Sequence, residues 1–325
     1  MKDSSTKITV LSSLFHCEQY LETFLGYVAK LDNQNRVELL LLHNAPTEAE
    51  LQIINKWLPK LPFVKHVIIL EREKLYETWN RGISLAEGEY LTIWNVDDIR
   101  LPHSVLDEAA MLDTHPEADL TYGDMYFMYQ YPIYTEKLCV YADFQKTPKL
   151  FFREHNIGCF PMWRKSIHEK IGYFDEQYCL VADFDFQIRA ARCCQLVKTP
   201  QILGYYLEDV PQKLSCNRAL QDIERHSLYL RYGAFDLFNW FMFFKVRKKI
   251  DLCHVLRGSQ RIALAITFPG FDAFRRRSPW LILGGVWRQP RNFLAYLKHH
   301  VWKYRKKVID KAILLFIMLE KMILI

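Results

Sequence analysis

The chain has 325 residues, of which 50% are apolar and 14% aromatic, so it can bury a sizeable core and is not a disordered protein. Its 12 glycines and 13 prolines exclude collagen-like and low-complexity architectures. The net charge of +6 is unevenly spread, because residues 216 to 325 carry 21 Lys and Arg against 7 Asp and Glu, which leaves −8 on residues 1 to 215. The N-terminal part of the chain, residues 1 to 215, is therefore acidic, and the C-terminal part is basic.

Cysteine spacing and the N-terminal residues bear on the cellular compartment. The eight cysteines include no CxxC pair, so we do not expect a metal–thiolate site. Residues 1 to 7 are polar and lead straight into an apolar run, so we expect neither a signal nor a transit peptide and predict a reducing, cytoplasmic location. The late apolar runs span at most ten residues each, against about 20 needed to cross a bilayer.

Residues 8 to 95 show strand-like runs that alternate with helical patterns. Strands are predicted at 8–15, 37–42, 63–70 and 90–95, and helices at 18–30, 47–58 and 76–86. Pro46 and Thr47 mark the start of the second helix. Strands that are apolar on both faces, joined by such helices, predict an α/β fold with a mostly parallel sheet flanked by helices, which binds ligands at the carboxyl ends of its strands.

The second half of the chain continues this pattern and then changes in composition. Further elements are predicted as a helix near Pro102, a strand over 119–131, a loop over 132–150, a strand over 158–163, helices over 165–171 and 182–193, and a strand over 195–206. Beyond Asn217 the chain is aromatic and basic with helical periodicity. We therefore expect a domain of residues 1–215 and a mainly helical C-terminal region of residues 216–325.

Asp97 and Asp98 directly follow the predicted strand over residues 90–95. Two adjacent carboxylates at that edge of a sheet repel each other unless a cation or hydrogen bonds compensate, and a divalent metal bound to phosphate oxygens would satisfy both. The alternative is a turn with an aspartate cap that leads into the helix near Pro102.

Three ordered segments resemble the signatures of glycosyltransferase family 2. They are residues 80–98, with an Asn-x-Gly-Ile helix and a Gly-Glu-Tyr strand before the Asp-Asp pair, residues 158–176, and residues 182–189, which are similar to the family's Glu-Asp-x-x-x-x-x-Arg helix. The resemblance implies a GT-A fold. It also implies an inverting transfer of sugar from a nucleoside-diphosphate sugar, a UDP-sugar above all, to a hydroxyl of a glycan or lipid-linked acceptor, as in polysaccharide or lipopolysaccharide synthesis.

The same resemblance assigns roles to individual residues. Asp98 would ligate a divalent cation (Mn²⁺ or Mg²⁺), Asp97 would hydrogen-bond the ribose, and Asn80 would belong to the nucleotide-sugar site. Asp183 stands at the position of the catalytic aspartate, where the start of a helix would keep the carboxylate ionised, although it could also be a plain N-cap. A transferase needs such a base because the acceptor hydroxyl loses its proton as it attacks.

The residues expected to bind the nucleotide base depart from the family pattern. Phe15 stands where the family has a tyrosine, and it could stack on a base or belong to the core. The family's base-reading aspartate is replaced by His43 and Asn44, either of which could hydrogen-bond a base edge. On the helix over residues 182–193, we expect Asp185 and Arg189 to be structural.

In the basic C-terminal region, Lys and Arg residues recur next to aromatic residues. Residues 292 to 325 place apolar side chains at helical spacing, with most cations on other faces, which predicts a basic amphipathic helix. We expect it to bind an anionic membrane surface and to hold the protein peripherally at the inner face of the cell membrane. Packing on the catalytic domain or on a second subunit is the alternative, and we expect no nucleic-acid partner.

Two other functions are compatible with parts of this pattern. One is a sugar-nucleotide-binding protein without transferase activity, since the base-reading aspartate is missing. The other is a nucleotidyltransferase, although Ser12-Ser13-Leu14-Phe15 contains neither the glycine nor the lysine of its phosphate-binding loop.

Overall fold

The structure is a computed structural model that describes residues 8–208, 217–232 and 250–264. The predicted amphipathic helix over residues 292–325 lies outside the described residues. So do residues 233–249 and 265–291, for which helical periodicity was also predicted.

The first half of the sheet is built from parallel strands joined by helices. The strands are β1 (Ile8–Leu14), β2 (Val37–Asn44), β3 (Val64–Ile69) and β4 (Tyr90–Ile93), and the helices are α1 (Glu18–Val28), α2 (Glu48–Trp57) and α3 (Leu75–Leu85). β1 pairs in parallel with both β2 and β4. All of these elements were predicted, with ends that differ by a few residues.

Helix α2 begins where the sequence signals it. The side chain of Thr47 accepts a hydrogen bond from the backbone N–H of Glu50, and the Glu50 carboxylate accepts one from the backbone N–H of Thr47. This reciprocal capping box satisfies two N–H groups that the first turn of a helix cannot pair internally. The predicted start at Pro46 and Thr47 is confirmed.

The second half of the chain completes the sheet with shorter strands. Its elements are β5 (Ile99–Arg100), α4 (Ser104–Thr114), β6 (Leu120–Met128), β7 (Leu138–Cys139), β8 (Met162–Arg164), α5 (Ile167–Ile171), α6 (Ala182–Cys193) and β9 (Leu196–Leu207). The strand order is β3-β2-β1-β4-β8-β6-β9-β5, with β7 on β6. Among the described residues, six of these nine strands run in one direction, and the three short strands β5, β7 and β8 oppose them.

The mostly parallel sheet flanked by helices is thus confirmed, with local corrections. The predicted strand over residues 158–163 forms only at its end, because β8 has to fit antiparallel between β4 and β6. The predicted loop over residues 132–150 contains β7, and a 3₁₀ turn begins at Pro148. The two-residue strand β5 was not predicted.

Alternate residues of the central strands belong to two hydrophobic layers, one on each face of the sheet. In β2, Leu40 and Leu42 join the layer that includes residues of α3 and α6, whereas Leu39 and Leu41 join the layer that includes residues of α1, α2 and α4. Helices therefore cover both faces of the sheet, which explains why the central strands carry apolar residues on both faces.

Two C-terminal elements pack onto the first of these layers. They are helix α7 (Arg218–Tyr232) and a hairpin of β10 (His254–Arg257) and β11 (Gln260–Ala263). Leu228, Tyr232 and Val255 belong to the same buried cluster as the residues of α6. The hairpin replaces the expected helix, with a turn at Gly258, where φ is +54°.

The boundary near residue 215 stays a prediction. Among the described residues, no helix combines the length and apolar character that membrane crossing needs.

Candidate active site

A cavity of about 780 Å³ opens at the carboxyl edge of the sheet. Residues that follow the ends of four strands line it: Phe15 after β1, Arg72 after β3, Asp97 after β4 and Glu208 after β9. Asp183 lines the same cavity from the first turn of α6. Among the described residues, the edge that the parallel pattern predicts for ligand binding therefore carries three carboxylates and one guanidinium group.

The two adjacent aspartates after β4 have different surroundings. Asp97 is partly exposed and lines the cavity. Asp98 is 1% exposed, and its Oδ1 accepts a hydrogen bond from the backbone N–H of Leu207 (3.1 Å), while Oδ2 accepts one from Asn95 Nδ2 (3.2 Å). Trp94 Nε1 also donates to the backbone carbonyl of Asp98 (3.0 Å). Asp98 thus joins the end of β4 to the end of β9.

A divalent cation fits the chemistry of this edge. Carboxylate oxygens are hard donors of the kind that Mg²⁺ and Mn²⁺ prefer. Asp97 and Glu208 offer them inside the cavity, and Asp98 lies next to Asp97 in the chain. No group of three or more His, Cys, Asp or Glu side chains in the described part of the chain is arranged to hold a metal. A cation here would need further ligands from a bound phosphate or from water.

Asp183, which lines the same cavity, has a side chain that is 38% exposed. Its Oδ1 accepts hydrogen bonds from the hydroxyl of Tyr76 (3.2 Å) and from the backbone N–H of Phe184 (2.8 Å). Nε2 of His155 lies 3.8 Å from Oδ2. One carboxylate oxygen is therefore fixed by hydrogen bonds, and the other lies near a histidine that lines the same cavity.

Burial disfavours the charged forms of both ring neighbours of Asp183. Burial raises the pKa of Tyr76 well above its usual value, and the nearby charge of Asp183 raises it further, so Tyr76 remains a hydrogen-bond donor. Burial lowers the pKa of His155, which the attraction of Asp183 only partly offsets. Within the described ranges, the carboxylate of Asp183 is thus flanked by a phenol that stays protonated and by a histidine whose pKa is lowered.

Phe15 forms one wall of the cavity together with a residue that the sequence did not single out. The guanidinium group of Arg72 lies over the Phe15 ring, 3.9 Å from its centroid. This cation–π pair joins the loops after β1 and β3 and leaves Phe15 partly exposed. A planar aromatic wall of this kind can stack on a nucleotide base.

His43 lies at the end of β2 but is not among the described residues that line the cavity. It is fully buried, with Nε2 3.1 Å from Glu50 Oε2 and Nδ1 3.0 Å from His66 Nε2. Glu50 Oε1 also accepts a hydrogen bond from the backbone N–H of Cys17 (2.8 Å). Both ring nitrogens are thus engaged, with Glu50 on α2 and His66 on β3, and Glu50 in turn bonds the loop after β1.

Asn44 and Asn80 also stand behind the cavity wall and are not among its lining residues in the described ranges. Asn44 donates to Thr78 Oγ1 (2.9 Å) and accepts from the backbone N–H of Glu73 (2.9 Å), so it fixes the loop before α3. Asn80 exchanges hydrogen bonds with the backbone N–H and carbonyl of Phe174 (3.0 and 2.9 Å). Both amides therefore position α3, which carries Tyr76.

The family model for glycosyl transferase family 2 matches residues 9–172, half of the chain. The chain belongs to glycosyltransferase family 2. The match covers the Asp97–Asp98 pair and ends before Asp183, so the role of Asp183 depends on the resemblance of its helix and on the geometry above.

Known relatives are also named as glycosyltransferases. The chain is 24% identical over 185 residues to an uncharacterized glycosyltransferase of Methanocaldococcus jannaschii, covering 55% of this chain and 62% of that one. It is 28% identical over 156 residues to a PGL/p-HBAD biosynthesis glycosyltransferase of Mycobacterium tuberculosis, covering 47% and 57%. The chain thus spans about three fifths of the length of the relatives it matches.

Solved structures of low identity share the fold. S. aureus TarS 1-349 in complex with UDP-GlcNAc superposes with a TM-score of 0.56 at 16% identity, over 82% of this chain and 75% of that one. A mannosyltransferase of Pyrobaculum calidifontis in complex with GDP-Man and Mn²⁺ gives 0.52 at 12% identity, over 88% and 89%. Together with the sheet order, these similarities identify the GT-A fold.

Within this family 2 cavity, the sequence analysis missed several lining residues. Tyr76 and His155 flank Asp183, and Arg72 covers Phe15. Trp79, 5% exposed, lines the cavity with an indole N–H that has no hydrogen-bond partner among the described residues. The helical spacing of Tyr76 and Trp79 was visible, but it predicts a core face as readily as a site.

Proposed function

We propose that the protein transfers a sugar from a nucleoside-diphosphate sugar to a hydroxyl group of a glycan or lipid-linked acceptor, with inversion at the anomeric carbon. The observation that carries this proposal is the placement of Asp97 and Asp183 on one cavity at the carboxyl edge of a family 2 sheet. One carboxylate serves the diphosphate side of the reaction, and the other serves the acceptor side.

The donor would lie along the ends of β1, β3 and β4. Phe15, with Arg72 over its ring, would stack on the base, and Asp97 would contact the sugar–diphosphate part. A UDP-sugar is the first donor to test, because structural neighbours of this chain are complexes with UDP-GlcNAc and UDP. The mannosyltransferase complex with GDP-Man makes a GDP-sugar the second.

We further propose that a divalent cation, Mn²⁺ or Mg²⁺, is held by Asp97 and Asp98 together with the donor diphosphate. Such a cation neutralises the negative charge that develops on the leaving diphosphate. Support comes from the hard oxygen donors at the end of β4 and from the Mn²⁺ complex of the mannosyltransferase neighbour. The contact of Asp98 with the backbone N–H of Leu207 would keep this loop in place when the donor binds.

On the acceptor side, Asp183 would act as the general base. Its carboxylate would take the proton from the acceptor hydroxyl as that oxygen attacks the anomeric carbon and the nucleoside diphosphate leaves from the opposite face. Tyr76 holds Oδ1 by a hydrogen bond, which leaves Oδ2 oriented for the incoming hydroxyl. A single displacement of this kind inverts the configuration at the anomeric carbon.

The acceptor and the location are proposed from the names of relatives and from the charge of residues 216–325. The mycobacterial relatives are named for PGL/p-HBAD biosynthesis, and the basic residues of positions 216–325 would attract an anionic membrane surface by about 1 kcal/mol for each nearby cation. We therefore propose a lipid-linked or glycan acceptor at the cytoplasmic face of the cell membrane.

Release of nucleoside diphosphate from UDP- and GDP-sugars, with Mn²⁺ present, tests the proposal. The wild-type protein should turn over one donor, and Asp183→Asn should lose turnover while it keeps the affinity for that donor. A wild-type protein that binds a donor but never turns it over with any glycan or lipid-linked acceptor would instead be a sugar-nucleotide-binding protein.

A further inference from the structure

Helix α7 contacts the short segment that leads into Asp183. Glu224 of α7 is 1% exposed, and its two carboxylate oxygens accept hydrogen bonds from the backbone N–H groups of Cys179 (2.9 Å) and Leu180 (2.8 Å). Burial raises the pKa of Glu224 and these backbone N–H groups lower it, whereas the charge of Asp183 raises it further. The two carboxylates are therefore close enough to interact.

The start of α6 lacks a cap of its own. Val181 stands at the N-cap position and makes no side-chain hydrogen bond there, and residues 177–181 belong to no helix or strand. Backbone N–H groups at such a helix start need a partner from elsewhere, and a negative charge is favourable there. Glu224, on a different helix, accepts from the two N–H groups just before this helix start and places its carboxylate there.

A second contact fixes the same turn of α6 from its buried side. Arg231 of α7 donates to Asp185 Oδ1 (2.9 Å) and to Asp175 Oδ2 (2.8 Å), and all three side chains are fully buried. Asp185 also accepts hydrogen bonds from Arg189 Nε (2.8 Å) and from the hydroxyl of Tyr232 (2.6 Å). Asp183 thus lies between two anchors, one at residues 179–180 and one at residue 185, that both lead to α7.

We propose that α7 positions the catalytic carboxylate, with Glu224 as a positioning residue for Asp183. The inference rests on the proposed function, in which Asp183 is the general base. It extends the catalytic unit to residues 218–232, beyond residues 9–172 that match the family model. A displacement of about 1 Å at a reacting group can lower a rate by about a hundredfold, so control of this segment by α7 would show directly in turnover.

Glu224→Gln tests the positioning role with little change in shape. A glutamine offers one acceptor oxygen, so it can satisfy one of the two backbone N–H groups and presents its own NH₂ to the other. We expect kcat to fall by about tenfold to a hundredfold while KM for the donor changes less than about twofold. Amide hydrogen exchange in residues 179–184 should accelerate by about tenfold or more.

Asp222→Asn is the matched control, because it makes the same chemical change at an exposed position of the same helix. It should leave kcat and the exchange of residues 179–184 as in the wild type. If Glu224→Gln fails to fold, Glu224→Asp keeps the charge but is one methylene shorter, and it should show the same loss in kcat with unchanged KM.

The outcomes separate this inference from the proposed function. Normal kcat and normal exchange in a folded Glu224→Gln variant would overturn the positioning role and leave the transferase proposal intact. Absence of turnover in the wild type would refute the transferase proposal, and the exchange measurement would then decide alone whether Glu224 fixes the segment.

Discussion

Glu50 offers the sharpest quantitative test of how the cavity wall is held. Its buried carboxylate accepts hydrogen bonds from the backbone N–H groups of Cys17 (2.8 Å) and Thr47 (2.9 Å) and lies 3.1 Å from Nε2 of His43. The substitution Glu50→Gln keeps the shape but removes the charge. We expect it to destabilise the fold, because the partners of Glu50 lie on β2, α2 and the loop after β1.

The magnitude follows from the pKa of Glu50. Burial alone would raise that pKa, but the hydrogen bonds from Cys17, Thr47 and His43 outweigh burial and lower it from 4.5 to about 2. A shift of that size corresponds to about 3 kcal/mol of folding free energy at neutral pH. Because the pKa is lower in the folded state, this stabilisation is present above pH 4.5 and is lost as the pH falls towards 2.

Urea unfolding of the wild type and of Glu50→Gln, from neutral pH down to about pH 2, is the assay. The free energies of unfolding should differ by about 3 kcal/mol at neutral pH, and the difference should close between pH 4.5 and pH 2. Glu48→Gln, an exposed change on the same helix, should stay within about 0.5 kcal/mol of the wild type. A difference that is absent at neutral pH, or that stays constant down to pH 2, would refute this reasoning.

Three further predictions follow from the site and its supports. Phe15→Ala should raise the Kd for the bound nucleotide by about tenfold to a hundredfold in calorimetric titration, because one stacked base is worth about 1 to 3 kcal/mol. Tyr76→Phe should lower kcat/KM for sugar transfer by about tenfold, since it removes the hydroxyl that donates to Asp183. Gly204→Ala should destabilise the fold by about 1 to 3 kcal/mol in chemical unfolding, because its Cβ would lie 2.1 Å from the backbone carbonyl of Ile99. An unchanged Kd, kcat/KM or unfolding free energy would contradict the respective prediction.

The parallel half of the sheet could be predicted from sequence because its signals are local. Strands β1 to β4 are rich in apolar residues, and α2 begins with a capping box formed by Thr47 and Glu50, three positions apart. The two-residue strands β5 and β7 were not predicted, and β8 only in part, since each of these short strands forms through pairing with other parts of the chain. The hairpin of β10 and β11 depends in the same way on packing against the core.

The sequence predicted which residues lie at this edge of the sheet. It did not predict which of their side chains line the cavity and which form hydrogen bonds away from it. Asp97, Asp183 and Phe15 do line one cavity, as expected for residues at that edge. His43 and Asn44 follow β2 at the same edge, yet their partners at Glu50 and Thr78 hold them behind the wall. Such pairings join residues 7 and 34 positions apart, and no local pattern specifies them.

Titration of UDP, GDP and CDP into the protein, each with and without Mn²⁺, tests the central claim most directly when wild type and Asp98→Ala are compared. The account predicts metal-dependent binding of one nucleotide to the wild type and its loss in the variant. Failure of all three nucleotides to bind, or equal metal-dependent binding to Asp98→Ala, would contradict a nucleotide-sugar site built on the carboxylates that follow β4.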